Sequence, residues 1–480
     1  MTVLHKKEDS SIERQTLEDF AIDDSFDPVE ENANPLNFFE DDLDEEHPQR
    51  RMETDRKTYA FLNQQFTLKE IFDRIGYGFA AHQFITIFFF LTGASAFLVG
   101  LIYALRSVLN DLFSSVFREL SSEQTISNKF ISITGIIFGF SFFGLLLAIR
   151  LDSTALFIFS LLVGSTSVVT YGELYSRLLN DGIKDERRSW FLRKIAHHGL
   201  VITALAFLFS GFLLERFSEA GSSIILFGYT IPLSGYFISF EVAAIAFILS
   251  GFILSRIPVR QVSKRKILIK LFFLKYFHEL RAQQKLFFSN TYAHFLFYGA
   301  LLITVIEALG ASFYGYYIYK LFENQFLGGF FNVALIFTIA IFASFLGPSI
   351  IKLLTNKTGL APLFVFGSLL LAMTPLALVF NPYFITIIVA VSLTVIGSSI
   401  LGVAQSLLAR KLLSPSHRRS FFTSLQTLLI IPFFIFAVAG SIIASIFSFI
   451  VLFKILIILI VFVVTPLYFV LVYISMAKNK

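Results

Sequence analysis

Long apolar runs separated by short polar joints fill most of this chain. In the second half they are Thr291 to Tyr317, Gly328 to Leu353, Leu360 to Phe380, Pro382 to Lys411, Phe421 to Ile446 and Phe449 to Ile474. In the first half they are His82 to Leu105, Phe130 to Ile149, Thr154 to Tyr175, Phe191 to Leu214 and Gly235 to Leu254. The runs are continuous rather than alternating, so they predict helices and not strands. Each is long enough to cross about 30 Å of hydrocarbon as a helix. A helix also satisfies its own backbone groups where no water can do so. The pattern predicts an all-α polytopic membrane protein with eleven clear transmembrane helices and room for a twelfth. A twelfth hidden in Gly221 to Leu254 is disfavoured, because that stretch is too short for two full spans. The first half therefore lacks a partner for one helix, and the amphipathic stretch Phe66 to Phe79 is what stands in its place.

The two halves echo each other. Arg187-Arg188-Ser189-Trp190-Phe191 recurs as Arg418-Arg419-Ser420-Phe421-Phe422, an offset of 231 positions. At that offset the run Lys129 to Ile149 falls on Leu360 to Phe380, and Thr154 to Leu179 on Ile385 to Arg410. Internal repetition of this kind is how many membrane transporters are built. The expected architecture is two pseudo-repeated helix bundles, residues 82–255 and 291–476.

Composition sharpens the class. Hydrophobic residues make up 55% of the chain, charged residues only 15%, and the mean hydropathy is +0.73, which a soluble domain of this size does not tolerate. Cysteine is absent, which excludes disulfides, thiolate catalysis and Cys-held metals. The first 57 residues carry no apolar core region of a signal peptide.

Charge is unevenly divided. Met1 to Lys57 holds 18 acidic and 7 basic residues, clustered as in Asp41-Asp42-Leu43-Asp44-Glu45-Glu46. This composition reads as an acidic disordered tail. Residues 58–81 read as an amphipathic juxtamembrane segment. Residues 256–290 form a basic linker, with nine Lys/Arg between Arg256 and Lys285. Within it Lys266 to Leu280 is a basic amphipathic helix suited to an anionic leaflet. Excess Lys/Arg in this linker, at the joints around Arg187 and Arg418, and at Lys478 and Lys480 predicts that these points lie in the cytoplasm of a cell membrane. With eleven spans the acidic tail lies outside.

The arrangement resembles the major facilitator superfamily, whose members have two six-helix halves joined by a basic cytoplasmic linker. Gly347-Pro348 with Asn356-Lys357-Thr358-Gly359 is similar to its signature of a Gly followed by Asp-Arg-x-Gly-Arg, with Asn and Lys in place of Asp and Arg. The first half has no such copy, since Arg150-Leu151-Asp152 falls on the other side of the bundle. The Arg-bearing joints at Arg187 and Arg418 match the family's loops after helices four and ten. The resemblance covers roughly Phe84 to Ile474 and implies a secondary transporter that rocks two bundles about a central site.

A charge at the bilayer centre costs about 2.5–3.5 kcal/mol on insertion scales, so each needs a reason. Glu307 sits mid-helix with Thr304, Ala311 and Tyr314 on its face. It is a candidate for proton coupling, or a carboxylate hydrogen-bonded between helices. Glu241 near an outer end, and Glu173 near a cytoplasmic end, are further candidates; Glu173 is expected to pair with a basic neighbour. Asn332 and Gln405 are candidates for contact with a polar solute or for helix-to-helix hydrogen bonds. The tandem His197-His198 points to two faces and makes a poor metal site. Arg187, Arg188, Arg418, Arg419 and Lys357 are expected to anchor topology or close a cytoplasmic gate. The small-residue strings Gly93-Ala94-Ser95-Ala96, Gly310-Ala311-Ser312 and Gly397-Ser398-Ser399 permit close helix approach.

No phosphate-binding loop, zinc-protease His-Glu-x-x-His or nucleophile elbow appears. The sequence therefore points away from an enzyme, and to no cofactor, metal or nucleic acid. The expected partners are a small-molecule solute and the lipid bilayer, with a monomer favoured. The alternative is a non-transporting sensor or scaffold that uses the acidic tail and the basic linker.

Overall fold

The computed structural model describes residues 48–123, 128–182, 185–217, 223–226, 229–232, 234–257, 281, 291–347, 349–351, 360–413 and 415–477. The acidic tail as far as residue 47, nearly all of the linker including its basic amphipathic stretch, and Lys357 lie outside them.

The first half comprises α1 (Pro48–Phe79), α2 (His82–Leu91), α3 (Ala96–Glu123), α4 (Asn128–Arg150), α5 (Thr154–Gly182), α6 (Asp185–Arg216) and α7 (Gly235–Ser255). The second comprises α8 (Thr291–Phe322), α9 (Gly329–Ser344), α10 (Leu360–Leu371), α11 (Met373–Phe380), α12 (Phe384–Leu412), α13 (Pro415–Ile446), α14 (Phe449–Ile458) and α15 (Thr465–Ala477). A π-turn, Leu459–Val464, joins the last two. The only strands among the described residues are a hairpin ahead of α7, Ser223–Leu226 against Tyr229–Pro232. Ten of these helical stretches are long and apolar enough to cross a membrane, and Gly329–Ser344 is a shorter apolar helix.

Two expectations for the first half are overturned. The run His82 to Leu105 is not one span, because the chain turns at Thr92–Ser95 and splits it between α2 and α3. Gly93 takes φ +84° there, a conformation that suits glycine, so the Gly-Ala-Ser string is a turn and not a packing seam. Thr154 Oγ1 donates to the Thr92 carbonyl at 2.8 Å and pins this turn to the start of α5. Nor is Phe66 to Phe79 juxtamembrane. It packs inside the bundle against α6 and α7, with Phe66 fully buried, and it runs on through a bend at Ala80-Ala81 into α2.

The helices keep the spacing seen in the sequence. Shifting α4, α5 and α6 by 231 positions lands on α10–α11, α12 and α13 to within one residue at each end.

Lipid offers little hydrophobic drive between helices, so close packing and hydrogen bonds hold the bundles. Ser210 Oγ donates to the Phe79 carbonyl at 3.1 Å, and Ser132 Oγ to the Gly251 carbonyl at 2.6 Å. The bundles meet mainly along three helix pairs: α2 with α8, α3 with α13, and α6 with α9.

Candidate functional site: a chamber closed at one end

At the end that holds the turn at Thr92–Ser95, stacked rings and a helix cap join the two bundles. Phe90 stacks on Tyr316 with ring centroids 3.7 Å apart and also meets Phe449 at 6.2 Å. Phe88 stacks on Phe330 at 5.2 Å. Beside them the Phe330 backbone N–H donates to the Glu215 carboxylate at 3.0 Å. This carboxylate caps the start of α9 from the opposite bundle, where helix polarity favours an anion. Gly328, at φ +94°, leaves the space: a Cβ there would lie 2.0 Å from Glu215 Cδ. Further along, Thr338 Oγ1 donates to the Ala204 carbonyl at 3.3 Å.

Beside these contacts a small pocket lies between the bundles. On the first bundle, His82, Thr86, Tyr103 and Arg106 line it, and Ser312 of the second bundle completes it. His82 stacks on Tyr103 at 5.4 Å. Tyr103 and Arg106 are one helical turn apart, so both face the pocket. Tyr103 lies within electrostatic reach of both Arg106 and Glu307, and Glu307 also lies within reach of Tyr468. Glu307 thus lies near residues of both bundles, and its side chain is exposed. Gly172 lies on the face of α5 that carries Leu161 of the pocket and looks into empty space.

Three of these groups lack partners. Neither ring nitrogen of His82 has a hydrogen-bond partner, though both are buried. No carboxylate pairs with Arg106 and no cation with Glu307 among the described residues.

The second bundle adds another small pocket, between Gly299, Gln405 and Tyr468. Tyr468 donates its hydroxyl to the Gly299 carbonyl. The π-turn just before it changes the facing of the last helix. Thr465, bonded to the Ile460 carbonyl at 2.9 Å and to Ser368 at 3.0 Å, fastens that turn. Gln405 Nε2 is buried without a partner.

A separate charged cluster sits on α1. Lys69 Nζ lies 2.7 Å from Asp73 and 3.3 Å from Glu70, and Arg74 Nε lies 3.5 Å from Glu70. Tyr171 offers its hydroxyl to Asp73 at 3.4 Å and bonds Ser250 at 2.7 Å. Lys69 also stands 3.0 Å from the centre of the Tyr175 ring, a cation–π arrangement. Two positive and two negative charges cancel inside the first bundle.

The sequence-based candidates divide accordingly. Glu307 and Gln405 are brought to one side of the chamber through Tyr468. Tyr314 is not: it turns toward Phe453, with ring centroids 5.5 Å apart. Asn332 is fully buried and ties the α8–α9 turn, its Nδ2 donating to the Gln325 carbonyl at 2.8 Å. Glu173 accepts a hydrogen bond from Ser114 of α3. Glu241 is half-buried on α7. His197 lies at the bundle boundary, its ring 5.7 Å from Phe345. The side chains of Arg187, Arg188, Arg418 and Arg419 lie outside the described residues. His82, Tyr103 and Arg106 were not among the candidates. The signal for Arg106 was a lone cation one residue past an apolar run, which reads as the end of a span.

The fold is similar to that of solved membrane transporters. It superposes on the nucleoside transporter NupG with a TM-score of 0.60 at 14% identity, covering 87% of this chain and 99% of that one. A bacterial homologue of the iron transporter ferroportin matches in its inward-facing state with a TM-score of 0.63 at 14% identity, over 85% of this chain and 98% of that one. An outward-facing state with soaked iron matches with a TM-score of 0.51 at 15% identity, over 85% and 99%. No family model and no curated protein sequence matches the chain.

Proposed function

We propose that the chain is a secondary transporter carrying a small solute across a membrane by alternating access to the central chamber. The observation behind this reading is a pocket between the bundles that Arg106 and His82 line, beside an end where aromatic stacking and the Glu215 cap join the two bundles. Rocking the bundles about this centre would break the closed end and seal the other.

On this reading the bent helix α1–α2 is the first pass and α9 belongs to the eighth, so the ten long apolar helices become twelve passes. An even number puts the acidic tail on the same side as the linker and the C-terminus. The Lys/Arg-rich joints place that side in the cytoplasm of the cell membrane, so the chamber faces inward. The higher similarity to the inward-facing than to the outward-facing ferroportin homologue, 0.63 against 0.51, supports that orientation. Glu307 is the candidate for coupling to a proton gradient, as a chamber carboxylate with no cationic partner.

Reconstitution tests the reading. The purified protein in liposomes is expected to take up a component of a broad metabolite mixture. A preparation that moves nothing, with or without a pH gradient, refutes transport. The chain has no cysteine, so Phe90→Cys with Tyr316→Cys gives a clean disulfide test. Oxidation should lock the closed end and stop uptake, and reduction should restore it. Protease outside intact cells should spare the acidic tail, and clipping there would refute twelve passes.

A further inference from the structure

We propose that the solute is bipolar, bearing an anionic group, carboxylate or phosphate, at one end and an ammonium group at the other. Arg106 and His82 receive the anionic end and Glu307 the ammonium end. This inference rests on the transporter reading and names its substrate class.

The argument starts from unpaired charge. Arg106 on α3 lines the pocket between the bundles, Glu307 on α8 lies within electrostatic reach of Tyr103 in the same lining, and neither has a protein counter-charge among the described residues. The α1 cluster shows that this chain pairs its other buried charges closely, at 2.7 to 3.5 Å. An unpaired charge in a low-dielectric space is costly, so each calls for a partner when the bundles close around a solute.

A solute of one charge neutralises one wall and leaves the other bare. A neutral solute leaves both bare. A bipolar solute satisfies both at once and bridges the bundles, so it alone favours closure around itself. The guanidinium presents a fork of N–H donors to a carboxylate or phosphate. A buried His82 ring with both nitrogens unpartnered supplies another donor beside it. Tyr103, within reach of both charges, stands between the two ends with a hydroxyl and a ring face.

The test uses reconstituted full-length protein and matched probes. Alanine is compared with propionate and ethylamine, phosphoethanolamine with ethyl phosphate, and a hexose serves as the neutral control. Uptake and counterflow of the bipolar probes should exceed those of their single-charge partners by at least about tenfold, as the loss of one charged partner implies. The alanine and phosphoethanolamine arms separate carboxylate from phosphate. Arg106→Gln and Glu307→Gln should each weaken the bipolar probe by about 10- to 100-fold, and Arg106→Lys should recover part of the loss. Thermal stabilisation by the same probes, measured on each variant, separates lost binding from lost folding.

Preferential transport of the hexose or of single-charge probes overturns this inference and leaves the transporter reading standing. So does a Glu307→Gln variant that keeps the parent's counterflow of the bipolar probe, since Glu307 then binds no part of the solute. If no probe and no metabolite moves at all, the transporter reading falls and this inference with it.

Discussion

The α1 cluster and the central chamber both place charged side chains within the helix bundles, and they do it in opposite ways. Lys69, Glu70, Asp73 and Arg74 neutralise one another, with Tyr171, Tyr175 and Ser250 taking up further polar capacity. Arg106 and His82 line a small pocket and Glu307 is exposed near it, with no partner of opposite charge among the described residues. Paired charges of this kind hold a helix in register and need nothing from outside. Unpaired ones raise the energy of the empty protein, and such groups persist where a ligand completes them. The contrast separates structural from functional polarity in a chain where charge alone does not.

The comparison breaks most visibly at Asp73. Asp73→Ala removes the nearer carboxylate from Lys69, leaves the cluster with one uncompensated buried positive charge, and should destabilise the protein by about 3–5 kcal/mol. Replacing both, Lys69→Met with Asp73→Leu, should recover most of that loss, because no charge is left uncompensated. Thermal unfolding in detergent reads both. Equal destabilisation by the single and double variants would mean that the cluster is not a self-contained pair.

The closed end gives the next largest effect. Glu215→Ala removes the acceptor for the Phe330 N–H across the bundle boundary and should weaken closure by about 1.5–3 kcal/mol. Spin labels at cysteines introduced on α6 and α9 should then report a longer or broader distance at that end. An unchanged distribution would assign closure to the aromatic stack alone.

Asn332 tests a smaller claim. Its side chain holds the α8–α9 turn through the Gln325 carbonyl, so Asn332→Ala should cost about 1–3 kcal/mol of stability while solute affinity stays the same. A changed affinity with unchanged stability would return Asn332 to the chamber.

Much of this was legible in the sequence, for physical reasons. Spans such as Thr154 to Tyr175 and Gly235 to Leu254 stood out because a helix in lipid must be long and apolar. The first helix did not, because Lys69, Glu70, Asp73 and Arg74 lower the average hydropathy of α1. Their i,i+4 spacing lets them cancel in pairs, and an average cannot register that. The same error hid Arg106. Once His82 to Leu105 was read as a single span, Arg106 fell into the following loop. The turn at Gly93 ends that span early and starts α3 at Ala96, which moves Arg106 three turns into a helix. Glu307 was found because it interrupts an otherwise apolar helix at its middle.

The last test concerns the empty chamber. If Arg106 is an unpaired charge kept for a ligand, removing it should not weaken the fold. Arg106→Gln is expected to unfold at the same temperature as the parent or a few degrees higher, since a site held in an uncomfortable state for function gains stability when relieved. The effect is small, but its sign is opposite to that of Asp73→Ala, and both substitutions remove one buried charge from the same bundle. Loss of stability on a scale with Asp73→Ala would mean that Arg106 has a structural partner after all, and the division between the two regions would then collapse.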